Sequence, residues 1–75
     1  MATVEITGWR VGFNGVACTR VVRAASGLGL EDGKRISDGV LAGTTQRIAV
    51  PSDDIAQRLV RELAKIGAVA AVSVT

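Results

Sequence analysis

The residues best suited to binding chemistry lie in the stretch RVVRAASGLGLEDGKRI, residues 20 to 36. Its centre is Gly27-Leu28-Gly29, and basic residues flank it on both sides. A phosphate-binding loop places glycines between a strand and a helix, and a Walker loop also needs Gly-Lys-Ser or Gly-Lys-Thr. Here the glycines are predicted to join two helices, and Lys34 lies inside the second one. The pattern therefore argues against nucleotide binding.

Few residues could carry catalysis. The chain has no histidine and one cysteine, Cys18, which is predicted on a buried helix face. General acid–base chemistry needs converging groups with tuned pKa values, and Asp53 and Asp54 are better explained as first-turn residues that favour the positive end of a helix. One cysteine cannot form an internal disulfide, and the usual zinc ligand sets are absent. We expect a protein that is not an enzyme and binds no metal or cofactor.

Hydrophobic periodicity predicts the elements that position the basic residues. Residues 3–13 alternate as a strand does, and a change of phase at Gly8 indicates a bulge or bend. Asn14-Gly15 predicts a turn. Residues 16–26 then have helical spacing, with Gly27 as the C-cap. This helix is predicted to turn Cys18, Val21, Val22 and Ala25 inward and Thr19, Arg20 and Arg23 outward.

The rest of the chain adds two helices and two strands. A short second helix is predicted from Gly29 to near Asp38-Gly39, and a strand over 46–50. Ser52 is the predicted N-cap of a third helix, which Gly67 ends before a final strand over 68–74. The predicted fold class is α+β over one domain, residues 1–75. Its β-α-α-β-α-β order predicts two layers, with a three-stranded antiparallel sheet packed against three helices.

Length and composition limit the class of protein. A chain of 75 residues with Trp9 and Phe13 as its only aromatic residues has a small aliphatic core. The net charge of +2 and pI of about 9.3 allow an acidic protein or a nucleic acid as partner. No apolar run approaches the roughly 18 residues of a membrane span, and the first residues do not resemble a signal peptide. We expect a cytoplasmic protein without membrane contact.

The basic residues around the glycine joint predict a protein-binding surface. Arg20 and Arg23 are neighbours on one helix face, and the joint should bring Lys34 close to them. Leu28 or Leu30 would add an apolar spot rimmed by cations, which suits an acidic, partly apolar helix. Nucleic-acid binding through these three cations and Arg47 is an alternative, and self-association is another. Gly12-Phe13-Asn14-Gly15 has the spacing of a KH-type RNA clamp, but that clamp joins two helices.

The segment RAASGLGLEDGK, residues 23–34, resembles the R-x-x-T-G-L-G-L-K-E-A-K signature of the C-terminal domain of the bacterial ribosomal stalk protein. The predicted element order matches that domain, and Ser52-Asp53-Asp54 aligns with its Ser-Lys-Asp-Asp helix start. The resemblance implies a surface on the first two helices that recruits a translational GTPase. The residues it assigns to partner binding are Val16, Thr19, Arg20, Arg23, Gly29, Leu30 and Lys34.

Three positions depart from the family pattern: Gly15 and Glu31 stand where lysine is usual, and Thr19 where isoleucine is usual. The sequence shows no counterpart of the N-terminal dimerisation domain and hinge of a stalk protein, so we expect either a free-standing homologue of the domain or an excised piece of a longer protein. The opening Met1-Ala2-Thr3 favours the free-standing homologue. The N-end-rule protease adaptor shares this fold. Its amine-binding pocket needs an Asn-Asp-Asp turn and a histidine, of which only Asn14 is present here, so an adaptor role would use another surface.

Overall fold

The computed structural model describes residues 1–73 and confirms the predicted order of elements. The chain forms β1 (Ala2–Trp9), α1 (Gly15–Ser26), α2 (Leu30–Leu41), β2 (Gln46–Val50), α3 (Asp53–Lys65) and β3 (Ala68–Ser73). The strands form one antiparallel sheet in the order β2-β1-β3. The predicted end of the last strand, Val74, lies outside the described residues.

One face of the sheet carries the core. The register sets Val4 opposite Ile48 of β2 and Val72 of β3, so alternate residues of all three strands share a face. The helices cover this face, and Leu59 and Leu63 of α3 are buried among its side chains. The opposite face carries one exposed valine, Val69, among small and polar residues: Thr3, Glu5, Thr7, Arg47, Ala49, Ala71 and Ser73.

The first strand contains the predicted bulge and ends earlier than predicted. Pairing with β3 shifts by one residue between Ile6 and Gly8, which confirms the irregularity expected from the change of phase. Beyond Trp9 the chain turns instead of continuing to Phe13: the Phe13 amide donates to the Arg10 carbonyl at 3.0 Å. Gly12 supplies the positive φ of +94° for this turn. The predicted strand over residues 10–13 is therefore wrong.

Both ends of α1 follow from capping residues. Asn14, in the predicted turn, is the N-cap of α1, and its side-chain oxygen accepts from the Ala17 amide at 3.0 Å. Gly27 ends the helix with a φ of +76°, as predicted, and its amide donates to the Arg23 carbonyl. The helix therefore begins and ends where local side chains and a glycine satisfy its free backbone groups.

The second helix continues past its predicted end near Asp38-Gly39 and stops at Leu41. Gly39 therefore lies inside α2 and does not end it. The Gln46 side chain lies against Gly39, where an added β-carbon would be 2.7 Å from the Gln46 Cδ atom. The last four carbonyl oxygens of α2 all accept hydrogen bonds, from the amides of Ala42, Gly43 and Thr44 and from the Trp9 indole. The Gln46 side chain thus occupies the space beside Gly39 that a larger residue would use.

Candidate functional site

The first two helices form an antiparallel pair, and two contacts between their side chains set its register. Arg23 of α1 lies over Gly33 of α2, and one turn earlier Thr19 meets Ser37. Moving one further turn along each helix brings the start of α1 opposite the end of α2, because facing positions are four residues apart. Gly15 and Val16 therefore lie at the level of Leu41.

Thr19 and Ser37 form a polar contact between the helices. Their hydroxyl oxygens are 2.8 Å apart, and the carbonyls of Gly15 and Gly33 lie 3.0 and 3.3 Å from the Thr19 and Ser37 oxygens, respectively. The two hydroxyl groups have one proton each for three contacts. One hydroxyl therefore donates to the other, and the second donates to the carbonyl of its own helix. Thr19 is thus half-buried between α1 and α2, whereas the sequence predicted it on the outer face of the helix.

Cys18, the single cysteine of the sequence, lies beside Ser37 of this contact. Its side chain is fully buried in the core, as predicted. Burial raises the pKa of the Cys18 thiol, and the neighbouring Ser37 hydroxyl lowers it less. The Cys18 side chain therefore belongs to the packing of α1 against the sheet.

Arg23 connects the two helices through its side chain as well as its charge. The aliphatic stem crosses Gly33, where a β-carbon would lie 2.7 Å from the Arg23 Cγ atom. The Arg23 Nε atom donates to the Leu28 carbonyl in the glycine joint at 3.4 Å. The structure therefore explains Gly33: the missing side chain leaves the space through which the arginine crosses α2.

A shallow groove of about 480 Å³ runs between α1 and α2. Six of the seven sequence-predicted partner-binding residues line it, and two further residues, Gly15 and Asp38, were not predicted. The lining residues are Gly15, Val16, Thr19, Arg20, Arg23, Leu30, Lys34 and Asp38. Gly29 is exposed at the N-cap of α2 but does not line the groove. We call this surface the α1–α2 groove.

The charge of the α1–α2 groove is mostly unneutralised. Ion pairs among residues 1–73 join Arg35 to Asp32, Arg47 to Glu5, and Lys65 to Glu62. Arg20, Arg23 and Lys34 take part in none of these pairs, and Asp38 is the one acidic residue of the lining. Leu30 and Val16 are exposed beside the cations, whereas Leu28 is half-buried against the core. The groove thus combines three cations with two exposed apolar side chains.

Arg47 does not belong to this group. It lies on β2, on the sheet face turned away from the helices, and its Nε atom is 3.5 Å from the Glu5 carboxylate. The four-cation surface considered for nucleic acids is therefore divided between opposite sides of the molecule.

A second groove, of about 410 Å³, lies between α1 and α3. Arg20 lines both grooves and forms the ridge between them. On the second side it is accompanied by Arg58 and Glu62 of α3 above an apolar floor that includes Val21 and Leu59. The sequence did not predict this groove, because its lining comes from α1 and α3, which are distant in sequence.

Within residues 1–73, no three histidine, cysteine or carboxylate side chains come together as a metal site would require. None of the helices in that range has the length and apolar character needed to cross a lipid bilayer.

Comparison of the chain with protein-family models and with curated proteins finds no match. The resemblance to the ribosomal stalk domain therefore remains a prediction that depends on the residues quoted above.

Proposed function

We propose that this protein is a non-enzymatic interaction module that binds an acidic, partly apolar protein surface through the α1–α2 groove. The resemblance to the stalk domain suggests a translational GTPase as the partner and translation in the bacterial cytoplasm as the setting. The observation that carries the proposal is the grouping of Arg20, Arg23 and Lys34, none of them in an ion pair within residues 1–73, around exposed Val16 and Leu30.

Charge and apolar area have different roles in such a surface. Cations that form no ion pair within residues 1–73 attract an acidic surface and accelerate its approach, whereas desolvated apolar side chains contribute most of the affinity. Val16 and Leu30 lie on α1 and α2, respectively, so an acidic helix lying between the two helices would contact both. Rigid packing of the helix pair through Thr19, Ser37 and Arg23 keeps the ordering cost of binding low.

Arg20 is the appropriate residue to test. It lines the groove without a hydrogen bond or ion pair in residues 1–73, so reversing its charge leaves the helix joint intact. Arg23 is less suitable because its stem packs across Gly33. Arg61 provides a matched control: it is an exposed arginine on α3 that lines neither groove.

The experiment measures the affinity of purified bacterial translational GTPases for the wild type, Arg20→Glu and Arg61→Glu by isothermal titration calorimetry. We expect Arg20→Glu to weaken binding by about tenfold or more, equivalent to about 1.4 kcal/mol, and Arg61→Glu to have little effect. Equal affinity of all three proteins would refute the groove as the binding surface. Binding to RNA or DNA that falls steeply with salt, in place of GTPase binding, would favour the nucleic-acid alternative.

A further inference from the structure

An exposed apolar cluster continues the α1–α2 groove at the end where α1 begins and α2 stops. Trp9, Val16 and Leu41 are 44%, 72% and 56% exposed. The Trp9 indole nitrogen donates to the Leu41 carbonyl at 3.2 Å, which joins β1 to the last turn of α2. Because this bond satisfies the one polar atom of the indole, the rest of the exposed ring is apolar surface. We call these three residues the Trp9 platform.

The platform lies in line with the groove. The register of the helix pair puts Val16 at the level of Leu41, and Val16 also lines the groove itself. Along α2, Leu30, Lys34, Asp38 and Leu41 recur at helical spacing on one face. Leu30 and Leu41 are eleven positions apart, which is about 16 Å at 1.5 Å per residue. The groove and the platform together therefore have an apolar residue of α2 at each end, Leu30 and Leu41, and charged residues between them.

Hydrogen bonds and a neighbouring aromatic ring position the chain segment that follows Trp9. The Arg10 amide donates to the Gly67 carbonyl at 2.7 Å, and the Asn14 amide donates to the Ile66 carbonyl at 3.0 Å. The centroids of the Phe13 and Trp9 rings are 6.4 Å apart. A tryptophan whose indole is already hydrogen-bonded has less conformational freedom to lose on binding, and tryptophan is among the residues that most often dominate interface energetics.

We infer that the groove and the Trp9 platform together bind one amphipathic helix of another protein, with apolar side chains about 16 Å apart and acidic residues between them. This inference rests on the proposed function and extends it, because it specifies the length and pattern of the partner. One apolar side chain packs at Leu30 and the other at Leu41, beside the ring of Trp9. The carboxylates between them face Arg20, Arg23 and Lys34. The partner helix has no acidic residue opposite Asp38, because two carboxylates there would repel each other.

The test uses two blocked, fluorescently labelled 20-residue peptides of high helix propensity. The first has leucines eleven positions apart and glutamates at the same-face positions between them; the second has serine in place of one leucine. Fluorescence anisotropy measures their affinity for the wild type, Trp9→Ala, Leu41→Ser and Arg20→Glu. Val69→Ser, which truncates an exposed apolar residue on the outer sheet face, is the control. Circular dichroism checks that each variant is folded.

We expect the two-leucine peptide to bind the wild type about tenfold more tightly than the one-leucine peptide. Trp9→Ala and Leu41→Ser should each remove most of this preference, Val69→Ser should keep it, and Arg20→Glu should weaken both peptides. If both peptides bind equally and Trp9→Ala changes nothing while Arg20→Glu still weakens binding, the platform is refuted and the proposed function stands. If Arg20→Glu has no effect, or neither peptide binds at millimolar concentration, an acidic helix is refuted as the occupant.

A second copy of the chain is the competing occupant of the platform. Sedimentation equilibrium of the wild type and Trp9→Ala distinguishes it. A monomeric wild type leaves the platform free for another protein, as we expect. A dimer that Trp9→Ala dissociates would overturn the inference.

Discussion

Gly33 is the residue at which helix propensity and packing between helices oppose each other most directly, and alanine substitution separates the two effects. In an isolated helix, Gly→Ala stabilises by about 1 kcal/mol. In this structure the new β-carbon would lie 2.7 Å from the Arg23 Cγ atom, 3.1 Å from its Cδ atom and 3.3 Å from the Thr19 methyl carbon. The arginine stem must therefore leave the surface of α2.

The cost of moving Arg23 follows from the contacts it would lose. Its hydrogen bond to the Leu28 carbonyl is long and exposed, and we assign it about 0.5 kcal/mol. Removing about one methylene group from packing adds about 0.8 kcal/mol. Because the sum slightly exceeds the gain in propensity, we expect Gly33→Ala to change the free energy of unfolding by only a few tenths of a kcal/mol. In an Arg23→Ala background the same change should stabilise by about 1 kcal/mol.

Urea denaturation of the four proteins in this double-mutant cycle, followed by circular dichroism, measures the coupling between positions 23 and 33. We expect a coupling free energy of about 1 kcal/mol or slightly more. Repeating the cycle with Arg35→Ala in place of Arg23→Ala gives the control, because Arg35 is an exposed arginine of α2 that does not cross Gly33. A stabilisation of about 1 kcal/mol in the wild-type background, with no coupling, would refute the placement of Arg23 across α2.

Two further predictions concern the core and the turn beneath the Trp9 platform. Gly67 has a φ of +89°, and a β-carbon there would lie 2.9 Å from the Phe13 Cα atom, so Gly67→Ala should lower the free energy of unfolding by about 2 kcal/mol or more. A loss below 0.5 kcal/mol in urea denaturation would contradict this. Burial raises the pKa of the Cys18 thiol, so the unfolded chain releases this proton at lower pH than the folded protein does. The stabilisation that comes from the Cys18 thiol should be fully present at pH values below the pKa of an unfolded thiol. It should be lost as pH rises from that pKa through the raised pKa of the folded protein. Stability measured across this range should decline less in Cys18→Ala, and an equal decline in both proteins would show that other groups cause it.

Local signals account for the elements that were predicted correctly. The Ser52 cap, the acidic first turn and the four-residue apolar spacing are all contained within α3, and Ser52 does accept from the Ile55 amide at 3.3 Å. Gly27 and the bulge beside Gly8 are equally local, since each depends on the backbone conformation of one residue or two. Where a residue's conformation depends on its near neighbours, sequence periodicity and capping chemistry predict it well.

The incorrect boundaries depend on residues distant in sequence. The second helix continues through Gly39, beside which the Gln46 side chain lies, and it ends at Leu41, whose carbonyl accepts from Trp9. Apolar alternation at Trp9, Val11 and Phe13 suggested a longer strand, but neither neighbouring strand pairs with residues beyond Trp9. A strand continues only where a partner strand supplies hydrogen bonds, and the alternation of one segment contains no information about that partner.

The sequence by itself determined the α+β fold, the order of its elements and the residues that carry positive charge, because period, capping and residue type are local properties. Tertiary structure decided which of those charges share a surface: it brought Arg20, Arg23 and Lys34 together and placed Arg47 on the far side of the sheet. It also set Trp9 against the end of α2, 32 residues away along the chain. Such neighbours are fixed by the packing of helices on the sheet, which minimises exposed apolar area across the whole chain at once.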